Sequence, residues 1–460
     1  MLDNMNISAI LRKALANGGE FADIYFEDGS STVIVCEDNK IERVITGTDR
    51  GVGIRVIAGL RTSYAFTNEV TEQALLDLAV TVSRAVKGTE PGNIFDMRKK
   101  VAGTAFAIKQ QPESIPLQDK VALVNEANRA ARGFDARVRQ VMAVYRDGKL
   151  KTQIANSLGE FVEADRTSTV FMVQVVASDG NVIQTGYEPV GSLRGFELFD
   201  DNRPEQIALT AARRSLLMLT ARKAPAGTMP VVLSSEAGGT MVHEAIGHGL
   251  EADLAQSGVS IYSGKIGMQV ASPLITVIDD ATIPYARGSF CFDDEGSVGQ
   301  RTVLVENGIL KTYMYDRLSA MKDGCSSTGN GRRESYHTKP IVRMSNTLIA
   351  PGETPPETII RGVERGLFVK KMGGGQVNTV NGDFVFDVSE GYLIENGAIT
   401  EPVRGATLTG NGPEVLKKVE KVGSDLGFGI GTCGKDGQGV PVSDAQPTLL
   451  ISEIIVGGAV

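Results

Sequence analysis

Two of the three histidines in this chain stand five residues apart, in Val242-His243-Glu244-Ala245-Ile246-Gly247-His248-Gly249, and a glutamate directly follows the first. An apolar strand candidate, Met229 to Leu233, precedes them. Ser234 or Ser235 can cap a helix there, and Glu236 suits its positive end. A His-Glu pair with a second histidine close behind is the pattern of a metal site, in which two imidazoles hold the ion and the carboxylate moves a proton. The usual spacing of four residues puts both rings on one helix face. Five residues separate the side chains by about 140°, so a straight α-helix aims the rings apart. If both serve one ion, the helix widens or breaks between them, as at a π-bulge, with Gly247 the tolerant point. The plain alternative is two unrelated histidines on a surface helix.

Bulk properties narrow what can surround this stretch. At 460 residues the chain exceeds one compact core, and two or three domains are expected. Hydrophobic content of 42% and charged content of 22% are those of an ordinary globular protein. A net charge of −8, with no long Lys/Arg run, argues against direct nucleic-acid binding. No apolar run approaches the roughly 20 residues that span a bilayer. Met1 to Glu20 lacks the apolar core of a signal peptide. Cys36, Cys291, Cys325 and Cys433 are scattered, which fits reduced thiols in a cytoplasmic protein better than a disulfide framework.

In chain order, Ile7 to Ala16 reads as a helix, then Phe21 to Glu27, Thr32 to Glu37, Ile41 to Thr46, Gly51 to Ile57 and Thr62 to Phe66 as strands. Thr71 caps a helix carrying Leu75, Leu78, Ala79, Val82 and Val86, stopped by Gly88. Thr89 to Leu117 reads as a connection. A helix follows over about 118–131, then strands over 138–145, 150–156, 161–164, 168–178 and 182–187, with Asp147-Gly148 as a tight turn. A helix near Pro204 to Ala221 ends at a boundary, Ala224-Pro225-Ala226-Gly227. The rest is strands and glycine-rich loops, with Asn307-Gly308 and Asn396-Gly397 as hairpin turns. The expected architecture is α+β: an N-terminal region over 1–110, a middle region over 111–224, and a β-rich, barrel-like C-terminal domain over 225–460 that carries the metal-site helix.

A catalytic zinc takes three protein ligands and keeps an open position. The two histidines leave one to find. Cys433 lies among glycines that let the backbone approach a site, and a thiolate suits zinc. A buried inert cysteine is its plain reading. Asp253 and His337 are rival ligands. Asp293-Asp294-Glu295-Gly296 could bind a cation or a basic group, but a solvated turn is the simpler expectation. Gly373-Gly374-Gly375-Gln376 could expose backbone to an extended peptide, or form a bulge within a sheet. Arg332 and Arg333 could hold a substrate carboxylate or a structural acid.

Several stretches together resemble the TldD/PmbA family of metalloproteases, once described as modulators of DNA gyrase. They are His243 to Glu251, Asp293 to Gly296, Thr328 to Tyr336, Gly374 to Val377, and Thr432-Cys433-Gly434-Lys435-Asp436-Gly437-Gln438. The resemblance implies a zinc ion held by His243, His248 and Cys433, with Glu244 as general base and acid. It places the chain in the TldD-like branch that keeps the zinc motif, rather than the PmbA-like branch that lacks it. It also implies a mostly buried site reached by unfolded or short peptides, and a homodimer or a dimer with a PmbA-like partner. The competing reading is a non-catalytic, gyrase-modulating protein whose metal is structural.

Overall fold

Very long antiparallel strands build the first half of the molecule. The computed structural model describes residues 2–86, 94–100 and 106–458. Strands β1 (Phe21–Glu37), β2 (Lys40–Ala58), β3 (Arg61–Thr67), β4 (Arg98–Lys100), β5 (Val138–Asn156), β6 (Glu160–Asp179) and β7 (Val182–Ser192) form one sheet, ordered β3-β2-β1-β5-β6, with β4 and β7 both on β6. The period-two pattern is clear in β6, where Thr169, Phe171, Val173, Val175 and Ala177 are buried and their neighbours are not. Helices cover two patches of this sheet. Helices α1 (Ile7–Ala14) and α2 (Glu72–Arg84) share a core with Ile24, Val52 and Ile54. Helices α3 (Leu117–Phe134) and α4 (Pro204–Thr220) share another with Phe171, Val173 and Val175. The expected stop at Gly88 and part of the 89–117 connection lie outside the described residues.

One expectation fails here. Asp147-Gly148 is no turn: β5 runs straight through it, with Asp147 opposite Thr32 and Thr169, and Gly148 opposite Ser31 and Ser168. The carboxylate of Asp147 accepts from Lys120 Nζ at 2.5 Å and Tyr145 Oη at 2.7 Å, which holds the residue in the strand. The same continuity fuses the segments expected on either side of residues 28–31, 47–50 and 165–167.

The second half is built on shorter strands. β8 (Gly227–Leu233), β9 (Arg365–Val377), β10 (Asp383–Glu395), β11 (Thr407–Asn411) and β14 (Leu449–Gly457) pair around a closed ring, β9-β8-β14-β11-β10 and back to β9. This is a five-stranded barrel, as the β-rich expectation required. Val231, Leu233, Leu367, Val369, Phe384, Phe386 and Ile451 share its core with Met241, Val242, Ala245 and Ile246 of the His-Glu segment. A second, six-stranded sheet ends in the hairpin of β12 (Gly427–Lys435) and β13 (Gln438–Gln446). Asn307-Gly308 (φ 50° and 79°) and Asn396-Gly397 (φ 51° and 76°) do form hairpin turns with both residues at positive φ. Asp436-Gly437 (φ 51° and 73°) makes a third, at the tip of β12–β13.

Buried charge joins the two halves. The loop Asp293-Asp294-Glu295 is not a solvated turn: its three acids are at most 3% exposed. Glu295 Oε1 accepts from Arg55 of β2 at 2.6 Å, and Arg55 also pairs with Asp23 of β1. Asp294 accepts from Arg166 of β6 at 2.9 Å and from the Arg333 backbone at 2.9 Å. Asp293 folds the loop by accepting the N–H groups of Glu295, Ser297 and Gly331. Guanidinium groups from the sheet satisfy Asp294 and Glu295, and backbone N–H groups satisfy Asp293, so the loop can leave water.

Candidate metal centre

The centre is assembled where β8 ends against the barrel. Ser234 Oγ accepts the Glu236 N–H at 3.2 Å and caps a single 3₁₀ turn, not the helix itself. The chain then turns at Gly238 and restarts as a short α-helical turn at Thr240–Val242. From His243 to Gly247 it becomes a π-helical turn, and the His248 N–H donates to His243 O, five residues back. That is the widening the five-residue spacing demanded. It brings the rings together, with centroids 5.0 Å apart at 88°. Gly247 matters for packing as well as flexibility: a Cβ there would stand 2.4 Å from Met344 Sδ.

The third donor arrives from the other end of the sequence. Cys433 Sγ lies 3.4 Å from His248 Nε2, and one ligand atom each from His243, His248 and Cys433 fit within 4.8 Å of one another. Among the described residues no other cluster of His, Cys, Asp and Glu with metal-binding spacing occurs. Asp253 is not a ligand; both its oxygens lie 2.7 Å from Lys435 Nζ. His337 is far off, beside Asp49, edge-on to Phe66 and tilted over Tyr336.

Burial pushes the Cys433 thiol up, but the imidazoles of His243 and His248 beside it bring it down to about 5, so the thiolate is favoured. Burial holds the Glu244 carboxyl above its ordinary value, against the opposing pull of the two histidines. His248 Nδ1 sits 3.3 Å from Glu251 Oε2, which directs Nε2 into the site. His243 Nδ1 is buried with no hydrogen-bond partner among the described residues. A thiolate, two imidazoles and a buried nitrogen without a partner fit a borderline-soft cation with one position open.

His243, Glu244, His248 and Cys433 line one cavity of about 690 Å³, together with Gly374, Gly375, Gln376, Val377, Thr432 and Asp444. Arg332 and Arg333 do not reach it. Arg332 donates to Met344 O at 2.6 Å and Pro441 O at 2.7 Å, while Arg333 donates to Asp294 O at 2.9 Å. These donors meet backbone carbonyls of the framework, and both arginines line a different cavity, with Tyr25 and Asp294. Sequence reading gave no role to Asp444, which accepts the Gly239 N–H at 3.0 Å where the helix restarts, nor to Glu251 and Lys435. The signal for Lys435 was its period-two relation to Cys433 on a strand.

Three successive stretches match the PmbA/TldA metallopeptidases: domain 1 over residues 22–88, the central domain over 110–219 and the C-terminal domain over 226–458. The chain belongs to the TldD/PmbA family of metallopeptidases. It is 40% identical to a metalloprotease TldD homolog of Haemophilus influenzae, covering 95% of this chain and 93% of that protein. It is 31% identical to a zinc metalloprotease TldD homolog of Saccharolobus solfataricus, covering 98% and 99%. The same fold occurs in a candidate modulator of a DNA gyrase from Thermotoga maritima (TM-score 0.80, 24% identity, 95% and 96% covered). It also occurs in TldE from Thermococcus kodakarensis (TM-score 0.77, 18% identity, 98% and 100% covered). As a member of this family the chain is a metal-dependent peptidase. No described helix is long and apolar enough to cross a membrane, and no disulfide links cysteines among the described residues.

Proposed function

We propose that the chain is a zinc-dependent peptidase of unfolded or short peptides, with His243, His248 and Cys433 as the metal ligands and Glu244 as general base and acid. The meeting of Cys433 with two histidines nearly two hundred residues earlier carries this reading. When bound, zinc supplies Lewis acidity to the scissile carbonyl and to the attacking water. Glu244 accepts the water's proton at its carboxylate and returns it to the leaving amine; a carboxyl held above its ordinary value by burial suits both steps.

The peptide would lie as an added strand. β8 pairs with β9 only through Leu367–Val369, and no described strand covers that edge beyond it. Gly374, Gly375 and Gln376 lie on that stretch and line the metal's cavity. Gly374 lies in a bulge of β9 between Met372 and Gly375, and a Cβ on it would meet nothing within 4 Å, so there is room beside the strand for a ligand. We read the partner as a second copy or a PmbA/TldE-like subunit, and the compartment as the cytoplasm.

Glu244→Gln is the direct test. Hydrolysis of an unfolded substrate should fall by about 10²- to 10⁴-fold with zinc content unchanged, assayed with and without a PmbA-like subunit. Zinc lost together with activity would sink the proton-transfer role. The alternative, a gyrase-modulating protein with a structural metal, calls for four protein ligands, and three are gathered here among the described residues. Full zinc occupancy with no cleavage under any of these conditions would favour it.

A further inference from the structure

Cys433 stands on a weak mount. β12 is the outermost strand of its sheet, and Gly427, Gly429, Gly431 and Gly434 make up four of its nine residues. A glycine-rich edge strand is poorly held by its own ladder. A metal site needs its donors fixed to within about half an ångström, so something else must hold this strand.

Lys435 supplies a tie. It is two residues beyond Cys433 and shares its face of the strand. Its Nζ reaches both oxygens of Asp253 at 2.7 Å, Val342 O at 3.1 Å and Glu251 Oε2 at 3.1 Å. That same Glu251 Oε2 is the atom 3.3 Å from His248 Nδ1. One carboxylate oxygen thus bridges the ring of one proposed ligand and the strand that carries another. Glu251 is fully buried, and the Lys435 side chain is 8% exposed. Glu251 is itself pinned, because the flanking Ala252 N–H donates to Met314 O at 2.9 Å and the Met314 N–H to Leu250 O at 2.8 Å. Buried ion pairs are weak sources of net stability, because desolvation offsets attraction. A role in fixing geometry accounts better for burying Glu251 and Lys435 here, with the half-buried Asp253 bracing the lysine.

We propose that Glu251, Lys435 and Asp253 form a lock that positions His248 and Cys433 toward one ion before it binds. Glu251 sets the His248 ring; Lys435, braced by Asp253, ties the cysteine strand to the same oxygen. All three are positioning residues, and the proposal rests on the ligand assignment above.

The test measures zinc affinity of the full chain by competition with a chromophoric chelator, and the thiolate-to-cobalt absorption band after cobalt substitution. Lys435→Met and Glu251→Gln should each weaken zinc by about 10- to 100-fold. Both should alter the cobalt band, and the double variant should be no worse than the weaker single, because the two act through one contact. Wild-type affinity and an unchanged band in Lys435→Met would overturn the lock, as would simple additivity in the double variant. If Lys435→Met does not fold, Asp253→Asn leaves the Lys435–Glu251 contact in place and is read the same way, with a several-fold loss expected and no change overturning the lock. Cys433→Ala separates the two claims. Undiminished zinc affinity there overturns the ligand assignment and the lock together. Zinc lost there but kept in Lys435→Met overturns the lock alone.

Discussion

The two halves of the molecule solve opposite problems. The N-terminal sheet uses strands of 17, 19, 19 and 20 residues with nearly unbroken register, and the last of them alternates buried and less buried residues along most of its length. Around the metal centre nothing regular lasts long. Within Ser235–Leu250 the backbone passes through 3₁₀, α, π and 3₁₀ turns, and the strand opposite is rich in glycine. Regular strands can repeat one environment many times. A metal site must aim three different side chains at one point, and departures from regular geometry do the aiming. The difference also shows in buried charge. At the junction of the halves, Arg55 with Asp23 and Glu295 fastens rigid surfaces together; at the centre, Lys435 with Glu251 and Asp253 holds donors in place.

This contrast can be broken at the junction first. Arg55→Met would leave Asp23 and Glu295, both fully buried, without their cation. A loss of about 3–5 kcal/mol is expected in denaturant unfolding, with the proposed metal ligands untouched. A loss below about 1 kcal/mol would mean the halves are not fastened there.

Glu27, also at the junction, offers a pH test. Burial raises its carboxyl from 4.5 to about 7, although the Tyr336 N–H and the Tyr25 hydroxyl at 2.9 Å favour its charged form. A folded value above the unfolded one stabilises the protein fully below about pH 4.5, and that contribution is lost as pH rises through about 7. The difference corresponds to at most about 3 kcal/mol. Glu27→Gln should flatten the stability profile across this window, and an equally steep profile in the variant would refute the assignment.

At the centre, Gly247→Ala pushes a methyl to 2.4 Å from Met344 Sδ. It should cost about 1–3 kcal/mol and weaken zinc binding, and Met344→Ala in the same chain should restore much of both. If the second change restores nothing, packing is not what Gly247 provides.

The smallest effect belongs to the regular half. Gly148 sits mid-strand at negative or extended φ, and a Cβ there meets only ordinary contacts at 3.6 and 3.9 Å. Gly148→Ala should be neutral, or stabilising by up to about 1 kcal/mol. Clear destabilisation would restore the turn that the Asp-Gly pair suggested.

What the sequence determined by itself was mostly local. Apolar alternation gave the strands, Asn-Gly pairs gave two hairpins, and the five-residue histidine spacing called for a helix that widens or breaks if both rings serve one ion, because about 100° per residue aims them apart on a straight helix. Where local signals and neighbours disagreed, the neighbours decided. Asp147-Gly148 has turn chemistry, but Lys120 and Tyr145 hold it in a strand. The acidic loop 293–295 has surface chemistry, but Arg55 and Arg166 bury it. Bottom-up reading left Cys433, Asp253 and His337 as rival third ligands, and only the family resemblance favoured Cys433. Tertiary structure brings Cys433 alone of these to the histidines, since chain spacing carries no information about contacts closed across nearly two hundred residues. The tie from Lys435 through one oxygen of Glu251 to His248 exists only once three separate segments have packed together, and so it is a property of the fold.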